Sequence, residues 1–422
     1  MDKEQYIKTF QDAIKINTEN GNEKELAEYF QNLLKENGIE SKLIEDDNDD
    51  KRASLFAEIE NGDGKVLGLT GHLDVVSAGK EEDWTHPPFE GVIEDDVIWG
   101  RGASDMKGGV SALVHAFIHA NEEQNFKGKI KLILTVGEEI GQLGAGKVTE
   151  EGLIDDVDAM IIAEPSNFGV AYAHKGSLNY KVVSKGLSSH SSAPQLGSNA
   201  VEHLADAIVR IKERLAEEAD KYENDILGKT FNNITVVSGG EQVNSIPDYA
   251  EFEANARTIP EFNNKDVINV VKEVLDELNE EFGANLELEV TANLDPVETD
   301  PDSDLMKAIL EVANKNENLK PSKIVTQMLE ELGVDIEKFF ENPKVREAAK
   351  KALEGKEDVV KPIELSGTTD AAQFTKANDK MNICVYGPGI PVLSHKTDER
   401  VELSQYLDFI ELYKETIVEY LK

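Results

Sequence analysis

The amino-acid sequence predicts an α/β protein, with a central mixed sheet flanked by helices and an inserted α+β unit. Three observations carry this reading. Apolar runs of strand length alternate with helical patterns near both ends of the chain. The middle of the chain changes to half-exposed strands in a β-α-β-β-α-β order. The 422 residues leave room for two or three domains at roughly 150 residues each.

Along the chain, residues 4–15 and 23–37 carry apolar side chains at helical spacing, as in Leu26, Tyr29, Phe30, Leu33 and Leu34. Short strand-like runs follow at 41–45, 53–59 and 66–71, then a helical pattern from Met106 to Ala120. Residues 129–136 and 158–163 read as buried strands. The α+β unit is expected at 177–293, with strands at 177–186, 232–238, 249–258 and 285–291 and helices at 198–219 and 264–282. The segments 1–176 and 294–422 are expected to form the other domain. Residues 317–362 hold short Lys- and Glu-rich helical patterns with few large apolar residues, which predicts a helical surface appendage.

Acids number 83 and Lys plus Arg 44, so 44 − 83 gives a net charge of −39. That balance disfavours nucleic acid and anionic membrane surfaces as partners. No run approaches the roughly 18 apolar residues of a membrane span. The first residues, Met1 to Gln5, are polar and lack a signal peptide's apolar run. Cys384 is the only cysteine, which leaves no intrachain disulfide and no thiolate metal cluster. A cytoplasmic protein is expected.

Five short segments carry candidate chemistry. In Gly71-His72-Leu73-Asp74, Asp74 could hold the imidazole so that its other nitrogen faces a cation, or His72 could simply be a hydrogen-bonded strand-end histidine. Glycines crowd around Asp105 in residues 99–109. They could cradle a phosphate, fold tightly around a ligand aspartate, or precede a helix capped by that aspartate. Glu138 and Glu139 end an apolar run, where two carboxylates are costly unless they bind or titrate something. Glu164 ends another apolar strand, and His395 follows a strand-like run and a Gly/Pro turn.

Together, His72, Asp105, Glu139, Glu164 and His395 fall at or just beyond strand ends, where open α/β sheets bind ligands. Two histidines and three carboxylates suit two divalent ions of borderline softness such as Zn²⁺, with one carboxylate bridging. Glu138, beside a ligand but free, is a natural general base.

In this order, GHLDVV, GRGASDMKGG, TVGEEIG, AEPS and SHKTDE resemble the di-zinc aminoacylase/carboxypeptidase family of the acetylornithine deacetylase and succinyl-diaminopimelate desuccinylase type. The resemblance covers nearly the whole chain and makes the inserted unit a lid and dimerisation domain. It implies that His72, Asp105 and Glu164 hold one zinc and that Asp105, Glu139 and His395 hold the other, cobalt or manganese being possible in their place. It makes Glu138 the general base and Asp74 the residue behind the first histidine. It also implies a cis peptide bond after Asp105. His190, in Gly186 to Pro194, resembles a histidine that reaches a neighbouring subunit's site and stabilises the oxyanion, so a homodimer is expected. Asn244, Arg257, Gly367 and Thr368 resemble contacts to the substrate carboxylate, a role for which the planar fork of Arg is suited.

The function expected is metal-dependent hydrolysis of the amide in a small N-acyl amino acid. N-succinyl-diaminopimelate is the foremost substrate and N-acetylornithine the next, which would place the enzyme in amino-acid biosynthesis. A dipeptidase or carboxypeptidase of the same family is the near alternative. A non-catalytic binding homologue is the alternative of another class. It predicts loss of a ligand or of Glu138, and all are present.

Overall fold

The computed structural model describes residues 2–422 except 167, 334, 337–342, 366 and 379. Met1 and Ser366, both part of segments read from the sequence, therefore lie outside the described residues. Contacts divide the chain into two compact units. The first comprises Met1–Tyr172, Thr299–Glu364 and Thr369–Lys422. The second comprises Ala173–Glu298 and Leu365–Thr368.

The first unit is built on a mixed sheet. Six of its strands run in the order Ser41–Glu45, Ala53–Asn61, Gly128–Thr135, Val66–His72, Ala159–Pro165, Asn382–Gly387. The last four are parallel and the first two antiparallel. The parallel strands are nearly continuous apolar runs because both faces are covered. The helix Gly108–Glu123 lies against them and packs on the C-terminal helix Leu403–Tyr420. Every residue from Gly108 to Ile118 is buried. Gly109 is needed there, since a Cβ would stand 2.1 Å from the carbonyl oxygen of Ala163. That close approach sets the helix start beside the strand that carries Glu164.

This helix begins two residues later than its apolar spacing predicts. Asp105 (φ −125°, ψ 92°) and Met106 (φ −136°, ψ 33°) are not helical, and the peptide bond between them is cis.

In the second unit, four antiparallel strands run in the order Phe231–Gly239, Tyr249–Thr258, Gly176–Lys185, Leu286–Leu294. The helices Ala200–Ala219 and Asn264–Phe282 pack against this sheet and against each other. The period-two pattern supplies the core: Leu178, Tyr180 and Val182 meet Ala256, Ala254 and Phe252 across the central pair. Asn263 caps its helix by accepting from Lys265 and Asp266, and Gly283 ends that helix at φ 63°.

The segment 317–362, expected as a surface appendage, contains two described α-helices. Residues 334 and 337–342 lie outside the described residues. The helix Pro321–Leu332 buries Ile324, Val325 and Met328, and Pro343–Leu353 buries Ala349 and Ala352. The apolar side chains are few, but Ile324 and Met328 are buried with Ile390 and Leu393, and Val325 is buried with Ala349.

Candidate metal centre

The C-terminal ends of the parallel strands and the loops beside them gather seven of the predicted residues. His72 closes its strand and is buried. Its Nδ1 lies 2.9 Å from the backbone oxygen of Asp74 and 3.6 Å from that residue's carboxylate. An Nδ1–H donated to the carbonyl leaves Nε2 with its lone pair facing the cluster. Nε2 is 3.1 Å from Asp105 Oδ1 and 3.5 Å from Glu164 Oε1.

Asp105 lies between the two histidines, since its Oδ2 is 3.4 Å from His395 Nε2. Glu139 Oε1 is 2.9 Å from the same His395 nitrogen. Two triplets, His72–Asp105–Glu139 and His72–Glu138–Glu164, each bring their ligand atoms within 4.8 Å of one another.

Glu138 and Glu139 sit in a turn beyond the strand that ends at Thr135. Asp74 holds that turn. Its Oδ1 accepts from Glu138 N and its Oδ2 from Glu139 N, both at 3.1 Å. The carboxylate's closest partners are thus these two amides, and the imidazole is oriented by the carbonyl of the same residue.

A second carboxylate does similar work for Asp105. Glu399 is fully buried. Its Oε2 accepts from Arg101 at 2.5 Å and from Gly102 N at 3.1 Å. Its Oε1 accepts from Ser104 N at 2.8 Å and Asp105 N at 2.9 Å. Arg101 also donates to the carbonyl of Lys396, beside His395. Sequence reasoning missed this anchor, although Glu399 stands in the quoted SHKTDE segment. Its partners lie almost 300 residues away, and spacing carries no signal over that distance. Asp370, which accepts from Thr135 Oγ1 at 2.6 Å, was missed as a buried partner for the same reason.

The electrostatics of the cluster are those of excess buried negative charge. Burial pushes Glu138 and Glu164 well above the carboxylate range, and neighbouring carboxylates add to the rise. For Asp105, burial works upward but is outweighed by hydrogen bonds from His395 and His72, which hold it below its usual value. His395 is pushed up to about 10 by its hydrogen bonds to Asp105 and Glu139. His72 also rises well above its usual value, because the carboxylates overcome the effect of burial. The carboxylates therefore favour positive charge at both imidazoles. Divalent ions meet the same demand for positive charge while leaving the imidazoles neutral, so this donor set fits them.

The other predicted residues lie in the second unit. His190 is exposed and pairs with Ser245 in a short antiparallel bridge. Its Nδ1 accepts from Ser192 N at 3.1 Å, which leaves the proton on Nε2 as a donor. The carbonyl of Asn244 accepts from Ser191 N. Arg257 is half-buried with no acidic partner among the described residues. Gly367 is exposed and Thr368 half-buried. No helix among the described residues is long and apolar enough to cross a membrane.

Comparison with known proteins agrees with this architecture. The chain is 33% identical over 440 residues to a probable succinyl-diaminopimelate desuccinylase of Staphylococcus aureus, an alignment covering 99% of this chain and 97% of that one. Its fold matches an M20 family metallo-carboxypeptidase from Sulfolobus solfataricus with a TM-score of 0.73 at 20% identity, covering 100% and 99% of the two chains. It also matches a Bacillus subtilis protein described as a dinuclear metal binding peptidase from the M20 family, with a TM-score of 0.67 at 17% identity over 99% and 98%. The model of peptidase family M20/M25/M40 matches residues 68–333 and 334–419, and the chain belongs to that family of metallohydrolases.

Proposed function

We propose that this protein hydrolyses the amide bond of N-succinyl-diaminopimelate, with two divalent metal ions, foremost zinc, bound at the strand ends. The observation that carries the reading is Asp105, placed between two imidazole nitrogens with Glu139 and Glu164 beside them. His72, Asp105 and Glu164 would hold one ion, and Asp105, Glu139 and His395 the other. When bound, such ions supply Lewis acidity and lower the pKa of a water. Imidazole and carboxylate donors suit zinc, with cobalt or manganese as functional substitutes.

Glu138 is the proton carrier in this reading. It takes a proton as the water oxygen bonds to the acyl carbon, and returns it to the amine nitrogen as the C–N bond breaks. Burial and neighbouring carboxylates raise the proton affinity of Glu138 in the metal-free site. Asp74 positions it through the backbone of the turn. His190, with its Nε2–H available to donate, is the proposed oxyanion donor.

The substrate's carboxylate is assigned to Arg257, with Asn244, Gly367 and Thr368 beside it. In a chain with 83 acids, a half-buried Arg257 without an acidic partner among the described residues is suited to an anion from outside. The succinyl group and diaminopimelate are chosen because a relative aligned over almost its full length is named a probable succinyl-diaminopimelate desuccinylase.

The second unit is proposed as a lid and as the dimerisation domain, with 1–176 and 294–422 as the catalytic domain. One edge of its sheet, Phe231–Gly239, contains no charged residue, and most of its residues are exposed. The other edge, Leu286–Leu294, carries Glu287 and Glu289, which pair with Lys185 and Lys181. An uncharged edge strand on a chain of net charge −39 suits a second copy of the same chain.

The deciding test is a panel of N-succinyl and N-acetyl amino acids and dipeptides, assayed with added Zn²⁺, Co²⁺ or Mn²⁺. N-succinyl-diaminopimelate should give the highest kcat/KM. Preferred cleavage of dipeptides would replace this reading with a peptidase.

A further inference from the structure

We infer that the helix Pro321–Leu332 is a positioning element for His395, gripping the chain on both sides of the loop that carries it. The inference rests on reading His395 as a cation ligand. His395 sits at φ 63°, a conformation that a residue with a side chain keeps only where its surroundings enforce it. The loop needs an external hold, and the helix supplies three.

Before the loop, Ile324 and Met328 form one buried cluster with Ile390 and Leu393. These two helix residues are four apart and lie on one face. After the loop, Glu331 pairs with Arg400, and Gln327 donates to Glu402 at 3.2 Å. Gln327 and Glu331 are again four apart, so one flank of the same helix faces the strand Arg400–Glu402. Arg400 in turn donates to the carbonyl of Asp398 at 2.8 Å and stacks on Trp99. The helix start is tied as well, because Asp358 accepts from both the backbone N and the hydroxyl of Ser322. A shift of this helix would therefore move residues 390–393 and 400–402 together, and His395 with them.

The test is titration of Zn²⁺ alone into the metal-stripped full-length protein, read by calorimetry, with Co²⁺ absorption as a second readout. Met328→Ala should weaken one of two bound ions about tenfold and leave the other unchanged, and Met328→Leu should restore it. The affected ion should be the one lost in His395→Ala. Combining Met328→Ala with His395→Ala should cost nothing further, since both act on one ligand. Glu331→Gln cuts the second hold without opening a cavity, and should weaken the same ion about threefold. It decides the matter alone if Met328→Ala fails to fold. Two ions bound as in wild type by Met328→Ala and Glu331→Gln, with one lost in His395→Ala, would overturn the inference and leave the ligand reading standing. Two ions bound normally by His395→Ala would overturn both.

Discussion

Glu138 and Glu139 are chemically identical neighbours to which the proposed mechanism gives different work. Glu139 faces His395 and Asp105, so Glu139→Ala should lower bound metal. Glu138→Gln keeps shape and removes only the proposed proton carrier, so both ions should stay while kcat falls about 10²–10⁴-fold with little change in KM. Metal analysis beside steady-state kinetics checks both, and near-normal turnover in Glu138→Gln would reverse the assignment. Away from the site, His115 is fully buried, and neither ring nitrogen has a hydrogen-bond partner among the described residues. Burial pushes its pKa down to about 3, against about 6.5 in the unfolded chain. The folded protein thus keeps His115 neutral while the unfolded chain binds a proton below pH 6.5. Its contribution to stability is fully present above pH 6.5 and is lost as pH falls toward 3. Between pH 7 and pH 5 wild type should lose about 2 kcal/mol more than His115→Leu, at about 1.4 kcal/mol per pH unit below 6.5. Denaturant unfolding at the two pH values, with chelator present so that metal release does not contribute, measures this. Parallel losses in the two proteins would mean that the imidazole is not held neutral.

Strand ends are the elements that make the site, and they were legible because a carboxylate or histidine after an apolar run is an expensive placement. The turn at 137–142 shows where that legibility stopped. Glu138 and Glu139 follow an apolar run, yet both lie beyond the strand itself. Their placement comes from a turn pinned by Asp74, and a hydrogen bond across 64 residues leaves no mark in local spacing. The helix Pro321–Leu332 raises a related point. Its few apolar residues suggest a surface position, while Ile324, Val325 and Met328 are buried against residues far along the chain or in the next helix. Asp74→Asn tests the turn. The amide keeps one acceptor and puts an NH₂ against the second backbone N–H, so one of the two holds is lost. Metal affinity or kcat should fall about 10–100-fold, the usual effect of losing such a supporting group. Unchanged values in both would show that the turn holds its shape without the carboxylate.

At the scale of the whole molecule, the −39 charge sets the terms on which any partner is met. Two copies of this chain repel each other at long range, so the proposed dimer is favoured at a surface that adds no charge of its own. The edge strand Phe231–Gly239 meets that condition, with Val236 and Val237 49% and 60% exposed. Val209, on the helix that packs against this sheet, is 54% exposed. Salt screens the repulsion but does not weaken apolar burial, because the Debye length falls from about 10 Å at 0.1 M to about 3 Å at 1 M. Self-association should therefore tighten as salt rises, opposite to an interface held by ion pairs. Sedimentation equilibrium between 0.05 and 1 M NaCl should show the dimer dissociation constant falling by about tenfold or more. Val237→Glu places a like charge from each copy on this edge and should shift the protein to monomer at low salt, with partial recovery at high salt. If His190 serves the partner's site, the monomeric variant should lose most of its kcat while both ions stay bound. A wild-type protein that is monomeric at every concentration and salt yet fully active would remove the dimer, and with it the proposed role of His190.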